Sequence, residues 1–143
     1  MINSIYTISF PRDDAMKCEP IKSFEQFIYN LEPICESIMK SIGADQPELS
    51  YQRALLYELR SRDVRCYEEI SISVLYGQHP ISSRRIDILV EIENKKIVLE
   101  LKHVKATRYE STHQIKRYML AVGTELGYLI NFSKMGTVEI RAP

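Results

Sequence analysis

Apolar residues recur at helical spacing in three stretches of this chain, with polar residues at the positions between them. The three stretches cover residues 22–42, 47–62 and about 110–122. Pro33 removes a backbone donor inside the first stretch, so we expect it to break or kink the helix and to leave two shorter ones. Gly43 and Gly123 follow the first and third stretches and fit helix C-caps. In the second stretch the side chains expected to face inward are Leu49, Leu55, Leu56 and Leu59.

Runs of β-branched and aliphatic residues, several of them alternating with polar residues, predict β-strands. They cover residues 2–10, 65–76, 83–93, 96–103, 126–132 and 136–141. Glu93, Asn94 and Lys95 are polar and fit a hairpin turn between two of these strands. After the first helical stretch, the order α-β-β-β-α-β-β predicts an α/β domain with one sheet and helices packed against it.

Two of the predicted apolar strands also carry ionised residues. Asp87 lies between Ile86 and Ile88, which we expect to face the core, and Glu100 and Lys102 share one face of the next strand. A buried charge is costly unless it is paired or holds a metal ion. Adjacent strands would bring these groups together as an acidic site with a lysine beside it. Such a site suits Mg²⁺, which prefers oxygen ligands and can activate water for attack on a phosphate.

The pattern Asp-(x)n-Glu-x-Lys on consecutive strands resembles the PD-(D/E)XK nuclease superfamily. The helix with Glu48 and Tyr51 three residues apart is similar to that of the GxxExxY family, and Gln114 with Tyr118 resembles the Gln-x-x-x-Tyr element of RecB-like exonucleases. Later blocks of the GxxExxY family are similar to residues 85–87, 99–102 and 127–132. The set is in the expected order over about residues 45–141. It departs from the family at Asp45, where the naming glycine falls, and at Ile86, which replaces the proline before the first acid.

The resemblance implies a restriction-endonuclease-like αβββαβ core, with a central mixed sheet flanked by helices. It places a nuclease-like domain at residues 45–143 and leaves residues 1–44 as an N-terminal extension packed on it. The implied activity is metal-dependent hydrolysis of nucleic acid, DNA more than RNA. A catalytically silent domain that binds nucleic acid or protein is the alternative. A third reading is an accessory protein that acts through an interface, such as a homodimer, and its sign would be a large exposed apolar patch on residues 1–44. Such a patch could be formed by Phe24, Phe27, Ile28 and Tyr29, or these residues could simply cover the sheet.

The resemblance also assigns roles to residues. Asp87 and Glu100 would hold one or two Mg²⁺ or Mn²⁺ ions, with the Leu101 carbonyl as a further ligand. Lys102 would orient or deprotonate the attacking water, and Glu48 would support a metal ion or its water. The expected substrate contacts are Gln114, Tyr118, Tyr51, Arg84, Arg85 and His103.

Each of these residues also has a structural interpretation. Asp87 could pair with a neighbouring arginine at a strand edge. Glu48 could be a first-turn acid favoured by the helix dipole, and Tyr51 could be core packing as readily as a phosphate contact. Gln114 and Tyr118 could belong to a solvated helix face.

Composition adds limits to these expectations. Lys plus Arg and Asp plus Glu are 19 each, so no global basic field favours nucleic acid, although charge can still be concentrated locally. The three cysteines are widely spaced and predict reduced thiols in an intracellular protein. No apolar run is long enough to span a bilayer, so we expect a soluble protein without a membrane partner.

Overall fold

The computed structural model describes residues 5–13 and 18–143. Its elements are α1 (Phe24–Ile42), α2 (Glu48–Arg60), β1 (Arg65–Tyr76), β2 (His79–Ile92), β3 (Lys95–Lys102), α3 (Tyr109–Val122), β4 (Leu126–Phe132) and β5 (Val138–Arg141). The strands form one sheet in the order β1-β2-β3-β4-β5. The β3–β4 pair is parallel, with α3 as its crossover, and the other neighbouring pairs are antiparallel. The predicted α/β fold with a mixed sheet is confirmed.

The sheet is covered on both faces, with β3 at its centre. On one face Ile97 and Leu99 of β3 pack in a cluster with buried residues of α1 and α2. On the other face Val98 packs with Ile115 and Tyr118 of α3. Because successive side chains of a strand point to opposite faces, the helices form two separate layers around the sheet. Charged residues on β3 therefore lie in the middle of the molecule.

Helix α1 is one helix of 19 residues that continues through Pro33, so the expected division into two helices is wrong. Pro33 is on the exposed side of α1, whereas its neighbours Leu31 and Ile34 are buried in the core. The carbonyl that loses its hydrogen bond is therefore on the solvent side, where water can satisfy it, and core packing holds the turns on both sides. Gly43 ends the helix as predicted, with its N–H bonded to the Met39 carbonyl at 2.8 Å.

Helix α2 buries Leu55, Leu56 and Leu59, as predicted, but leaves Leu49 40% exposed. The buried face of α2 instead begins at Tyr51, which is 1% exposed. Leu49 is two residues earlier, about 200° around the helix, and so points away from that face. The inward orientation expected for Leu49 is wrong.

The strand predicted at residues 2–10 is not formed at residues 5–10, which have no regular secondary structure; residues 2–4 lie outside the described residues. Side chains of the two helices hold the end of this segment. Ser41 donates a hydrogen bond to the Pro11 carbonyl at 2.6 Å, and Arg12 forms an ion pair with Glu58 of α2. The alternating pattern alone does not make a strand where no neighbouring strand is available to pair with it.

The hairpin turn predicted between β2 and β3 and the helix end predicted at Gly123 are both confirmed. Ile92 pairs with Lys95, which leaves Glu93 and Asn94 as a two-residue loop with φ of 50° and 61°. Positive φ at both positions is what a tight hairpin turn between twisted strands requires. Gly123 ends α3 in the left-handed conformation, also as predicted.

Three further expectations concern the whole chain. The cysteines are free thiols, with Cys18 exposed and Cys35 and Cys66 buried. Within the described residues, no helix is both long and apolar enough to cross a membrane. Residues of α1 share one core cluster with α2 and the sheet, and the division of the chain after residue 44 stays a prediction.

Candidate active site

Strands β2 and β3 separate where the acidic residues meet. Their pairing runs as far as Ile88 opposite Leu99. Beyond that pair the side chain of Asp87 takes the place of a backbone acceptor, since its Oδ2 accepts a hydrogen bond from the Leu101 N–H at 2.7 Å. The opening that results, lined by Asp87, Glu100 and Lys102, is called the β2–β3 gap below.

The alternation of side chains along β2 is interrupted at Asp87. Ile86 and Ile88 are both fully buried, as predicted, but Ile86 packs with α3 and Ile88 packs with the cluster of α1 and α2. Residues two apart on a regular strand face the same side, so the backbone must twist between them. Glu69 lies opposite on β1 and has a positive φ of 55°. The local irregularity turns the Asp87 carboxylate into the gap.

Glu100 is an unusual buried acid. Its side chain belongs to a residue only 4% exposed, and Oε2 has no hydrogen-bond partner among the described residues. Burial raises the pKa of Glu100 far above its ordinary value, and a hydrogen bond and repulsion from Asp87 raise it further. Lys102 opposes this shift but does not cancel it. Without a bound cation, Glu100 therefore keeps its proton near neutral pH.

Helix α3 contributes a hydrogen-bonded chain to the same gap. Lys102 Nζ donates to Gln114 Oε1 at 3.3 Å, and Gln114 Nε2 donates to the Tyr118 hydroxyl at 2.9 Å. Burial and the nearby Glu100 raise the pKa of Tyr118. The close approach of α3 to the sheet supports this placement, because a Cβ on Gly127 of β4 would lie 2.6 Å from Met119 Sδ. The structure thus places Gln114 and Tyr118 at the site.

Glu48 and His103 approach the gap from the α2 side. Glu48 is the first residue of α2 and is exposed, yet partial desolvation and repulsion from Asp87 raise its pKa, opposed by Lys102 and His103. His103 Nδ1 lies 2.6 Å from the Phe132 carbonyl, so this nitrogen carries the proton of the hydrogen bond. Both residues are near the carboxylates without being buried among them.

Tyr51 lies beneath this side of the site. It is 1% exposed, its hydroxyl donates to the Gly43 carbonyl at 2.6 Å, and its ring stacks on Phe132 with a centroid distance of 5.0 Å. The His103 ring packs against it at 4.9 Å. Burial of the ring and a hydrogen-bonded hydroxyl favour the core-packing interpretation of Tyr51 over a phosphate contact.

The two predicted arginines of β2 point in different directions. Arg84 lines a groove that also contains Lys102, Gln114 and Tyr118. Arg85 is 3.6 Å from Glu69 and does not line that groove. The structure therefore brings Arg84, but not Arg85, beside the gap.

The donors in the gap fit a hard divalent cation. Among the described residues, no group of three or more His, Cys, Asp or Glu side chains is arranged as a metal site. The gap instead offers two carboxylates, and one of them has a buried oxygen without a partner. Mg²⁺ is commonly held by one or two carboxylates, with water and substrate oxygens completing its octahedron. Asp87 and Glu100 match that donor set.

Two structural contributions to the site were not among the predicted residues. Ile72, Val74 and Leu75 of β1 line the groove beside Lys102, although the predicted strand gave no sign of this role. Asn131 of β4 is fully buried and bonds both backbone groups of Val104 at 3.1 Å, which fixes the chain just after β3. An asparagine inside an apolar strand is the one signal that could have identified this second contribution.

Comparison with known families agrees with this geometry. The sequence model of the PD-(D/E)XK nuclease superfamily matches residues 25–142. This chain belongs to that superfamily. The match begins within α1 and extends through β5, so it includes every strand of the sheet.

One solved structure supports the fold. The crystal structure of SSO0001 has a TM-score of 0.52 and 18% identity, over 80% of this chain and 58% of that one. The protein VC1899 from Vibrio cholerae has a TM-score of 0.41 and 15% identity, over 78% of this chain and 36% of its own. This chain therefore spans little more than half of the first of these structures. No curated protein matches the sequence.

Proposed function

We propose that this superfamily member is a metal-dependent nuclease that hydrolyses phosphodiester bonds, with DNA as the substrate. The observation that carries the proposal is the buried carboxylate of Glu100, with one oxygen unpartnered among the described residues, beside Asp87 and Lys102. A fold gains no stability from a buried acid beside a second, half-buried one, because desolvation and repulsion both oppose the ionisation of Glu100. A bound divalent cation would offset the repulsion between the two acids, so a metal-binding role accounts for their being side by side.

Asp87 and Glu100 are the residues that would hold Mg²⁺ or Mn²⁺, with the Leu101 carbonyl as a further ligand and Glu48 as support for one or two ions. A bound ion would supply a Lewis acid and lower the pKa of a water molecule. The chain's own contribution is to fix the ligands. The hydrogen bond from the Leu101 N–H holds Asp87 in the gap, and strand pairing holds Glu100.

Lys102 is the residue proposed to orient the attacking water and to stabilise the charge that develops on the phosphate. Its ammonium group is tethered by Gln114, which is in turn fixed by the Tyr118 hydroxyl. A compact cation held beside the two carboxylates can act on a phosphate oxygen with little reorganisation. His103, on the α2 side, and Arg84, in the groove beside α3, are the residues proposed to contact the substrate.

The distribution of charge favours nucleic acid despite the neutral total. Residues 71–86 and 101–124, which include the groove and the end of β3, carry seven Lys or Arg residues and one acid, Glu110. The rest of the chain carries 12 basic and 18 acidic residues. Three of these seven, Arg84, Lys102 and Arg117, line the groove with Glu110 as its single acid, and phosphate contacts depend on such local charge. The finer resemblance to the GxxExxY family and RecB-like exonucleases, and a homodimer, remain predictions.

Cleavage of labelled DNA and RNA in Mg²⁺ or Mn²⁺ tests the proposal. We expect Glu100→Gln and Lys102→Ala to reduce the rate about 100-fold or more, because each removes a group that acts on the reacting phosphate or its metal ion. Glu125→Gln and Lys96→Ala are matched controls at exposed positions and should cleave at the wild-type rate.

Wild-type cleavage by Lys102→Ala would contradict the role given to that residue. If the folded wild type binds nucleic acid but cleaves none of these substrates with either metal ion, the chain is a silent binding module and the nuclease proposal is wrong.

A further inference from the structure

A groove runs from the β2–β3 gap along one side of the molecule. It has a volume of about 590 Å³ and lies between α3 and the outer halves of β1 and β2, which extend as a two-stranded ribbon. Lys102 and Gln114 lie at its inner end and connect it to the gap. We call it the ribbon groove.

The ribbon groove combines positive charge with apolar surface. Its charged residues are Arg84, Lys102, Arg117 and a single acid, Glu110. Its β1 wall presents Ile72, Val74 and Leu75, and Leu75 is 53% exposed. Exposed aliphatic side chains beside guanidinium groups fit a ligand that offers both anionic and apolar surfaces.

We propose that the ribbon groove binds a single, unpaired strand of nucleic acid and leads it to the β2–β3 gap; this rests on the proposed nuclease function. An unpaired strand displays phosphates to the cations and base faces to the aliphatic wall, which takes the position that aromatic side chains have in other single-strand grooves. A duplex stacks its base faces inside and presents only groove edges and its backbone. In a complex with a duplex, the apolar wall would therefore have no base face to contact.

The depth of the reactive groups supports the same substrate. Glu100 and Tyr118 are each 4% exposed, so a phosphate has to enter the groove to reach them. The backbone of an unpaired strand can bend into such a recess, whereas a duplex backbone is held on a rigid helix. The ribbon on one side and α3 on the other restrict the approach.

Fluorescence anisotropy of the full chain without divalent cations tests this inference. The probes are a labelled DNA single strand of about 12 nucleotides and the same sequence as a blunt duplex. We expect the wild type to bind the single strand more tightly. Arg117→Glu should weaken single-strand binding roughly tenfold and lower its salt slope by about 1, because one phosphate contact is lost.

Adjacent residues supply matched controls. Lys116→Glu makes the same charge change one residue away on α3, outside the groove, and should have little effect. Leu75→Asp should weaken single-strand binding, whereas Ile81→Asp, at a similarly exposed ribbon position outside the groove, should not.

The inference is overturned if the duplex binds as tightly as the single strand, or if each control weakens binding as much as its partner variant. These outcomes are separable from failure of the nuclease proposal. Metal-dependent cleavage of a duplex that is lost in Glu100→Gln would leave the nuclease standing and remove the groove inference. Single-strand binding in the groove without cleavage would leave the groove inference standing and remove the nuclease proposal.

Discussion

Glu100 shows how one residue links function to a cost in stability. Burial and Asp87 raise its pKa, so the folded chain binds a proton that the unfolded chain has already released. Between the unfolded pKa, about 4.3, and the higher folded pKa, the unfolded state holds fewer protons. Stability must therefore fall as pH rises through this interval. A residue kept at this cost indicates a role other than packing.

Replacement of Glu100 by Gln should stabilise the metal-free protein at alkaline pH. The amide keeps the shape of the side chain but cannot ionise, so we expect a gain on the order of 3 kcal/mol at pH 8 and little change at pH 4, which is below the unfolded pKa. Chemical denaturation in EDTA at both pH values measures it. Parallel pH dependence of wild type and variant would show that Glu100 is not held neutral by the fold.

Sequence reasoning at this scale identified the carboxylates but not their arrangement. The aliphatic neighbours of Asp87 were correctly predicted to be buried, since Ile86 and Ile88 are fully buried, while Asp87 itself is half-buried. They could not predict that these two residues face different layers. That depends on the hydrogen bond from the Leu101 N–H, which belongs to another strand. The sequence likewise leaves two roles for Tyr51, and its hydrogen bond to the Gly43 carbonyl, which sequence does not predict, favours core packing.

At the scale of elements, Glu58 joins α2 to the N-terminal segment. It is 5% exposed and is bound by Arg12 and by Arg62, one turn later on the chain. Burial pushes its pKa up, but hydrogen bonds from both arginines outweigh burial, so the pKa lies below its ordinary value. The carboxylate thus stabilises the fold above the unfolded pKa, and this contribution is lost as pH falls through the folded pKa.

We expect Glu58→Ala to destabilise the protein by about 3 kcal/mol at pH 7, because it removes the carboxylate between two arginines, one of them buried. The loss should be smaller at pH 3, which is below the unfolded pKa, because there the unfolded chain takes up a proton more readily than the folded chain does. Urea denaturation measures both values, with Glu36→Ala on the exposed face of α1 as control. Equal midpoints for the two variants at pH 7 would contradict this assignment.

Elements were predictable where packing and local pattern agree. The helix and strand periods gave α2, α3 and the five strands because each apolar stripe meets the sheet or a helix in the fold. The helix break predicted at Pro33 is wrong because a proline inside a helix removes a backbone hydrogen bond, and here the position faces solvent, where water can replace that bond. The strand predicted over residues 2–10 is not formed at residues 5–10 because a strand needs a neighbouring strand to pair with, and the sequence pattern does not show whether one is available.

At the scale of the whole molecule, the fold separates charges that cancel in the sequence. Arg84, Lys102 and Arg117 line the groove with a single acid, Glu110, while acids predominate outside the segments 71–86 and 101–124. A net charge of zero therefore says little about this surface. The ordered motifs could predict the superfamily and its central carboxylates. The ribbon groove could not be predicted, because it depends on how β1 and α3 sit on opposite sides of one opening.

Calorimetric titration with Mn²⁺ tests the central claim most directly. The wild type should bind the ion and release a proton, since Glu100 must ionise to become a ligand. Glu100→Gln should bind at least tenfold more weakly, and Glu125→Gln should match the wild type. Equal binding by wild type and Glu100→Gln, or no binding by the wild type, would contradict a metal site in the β2–β3 gap.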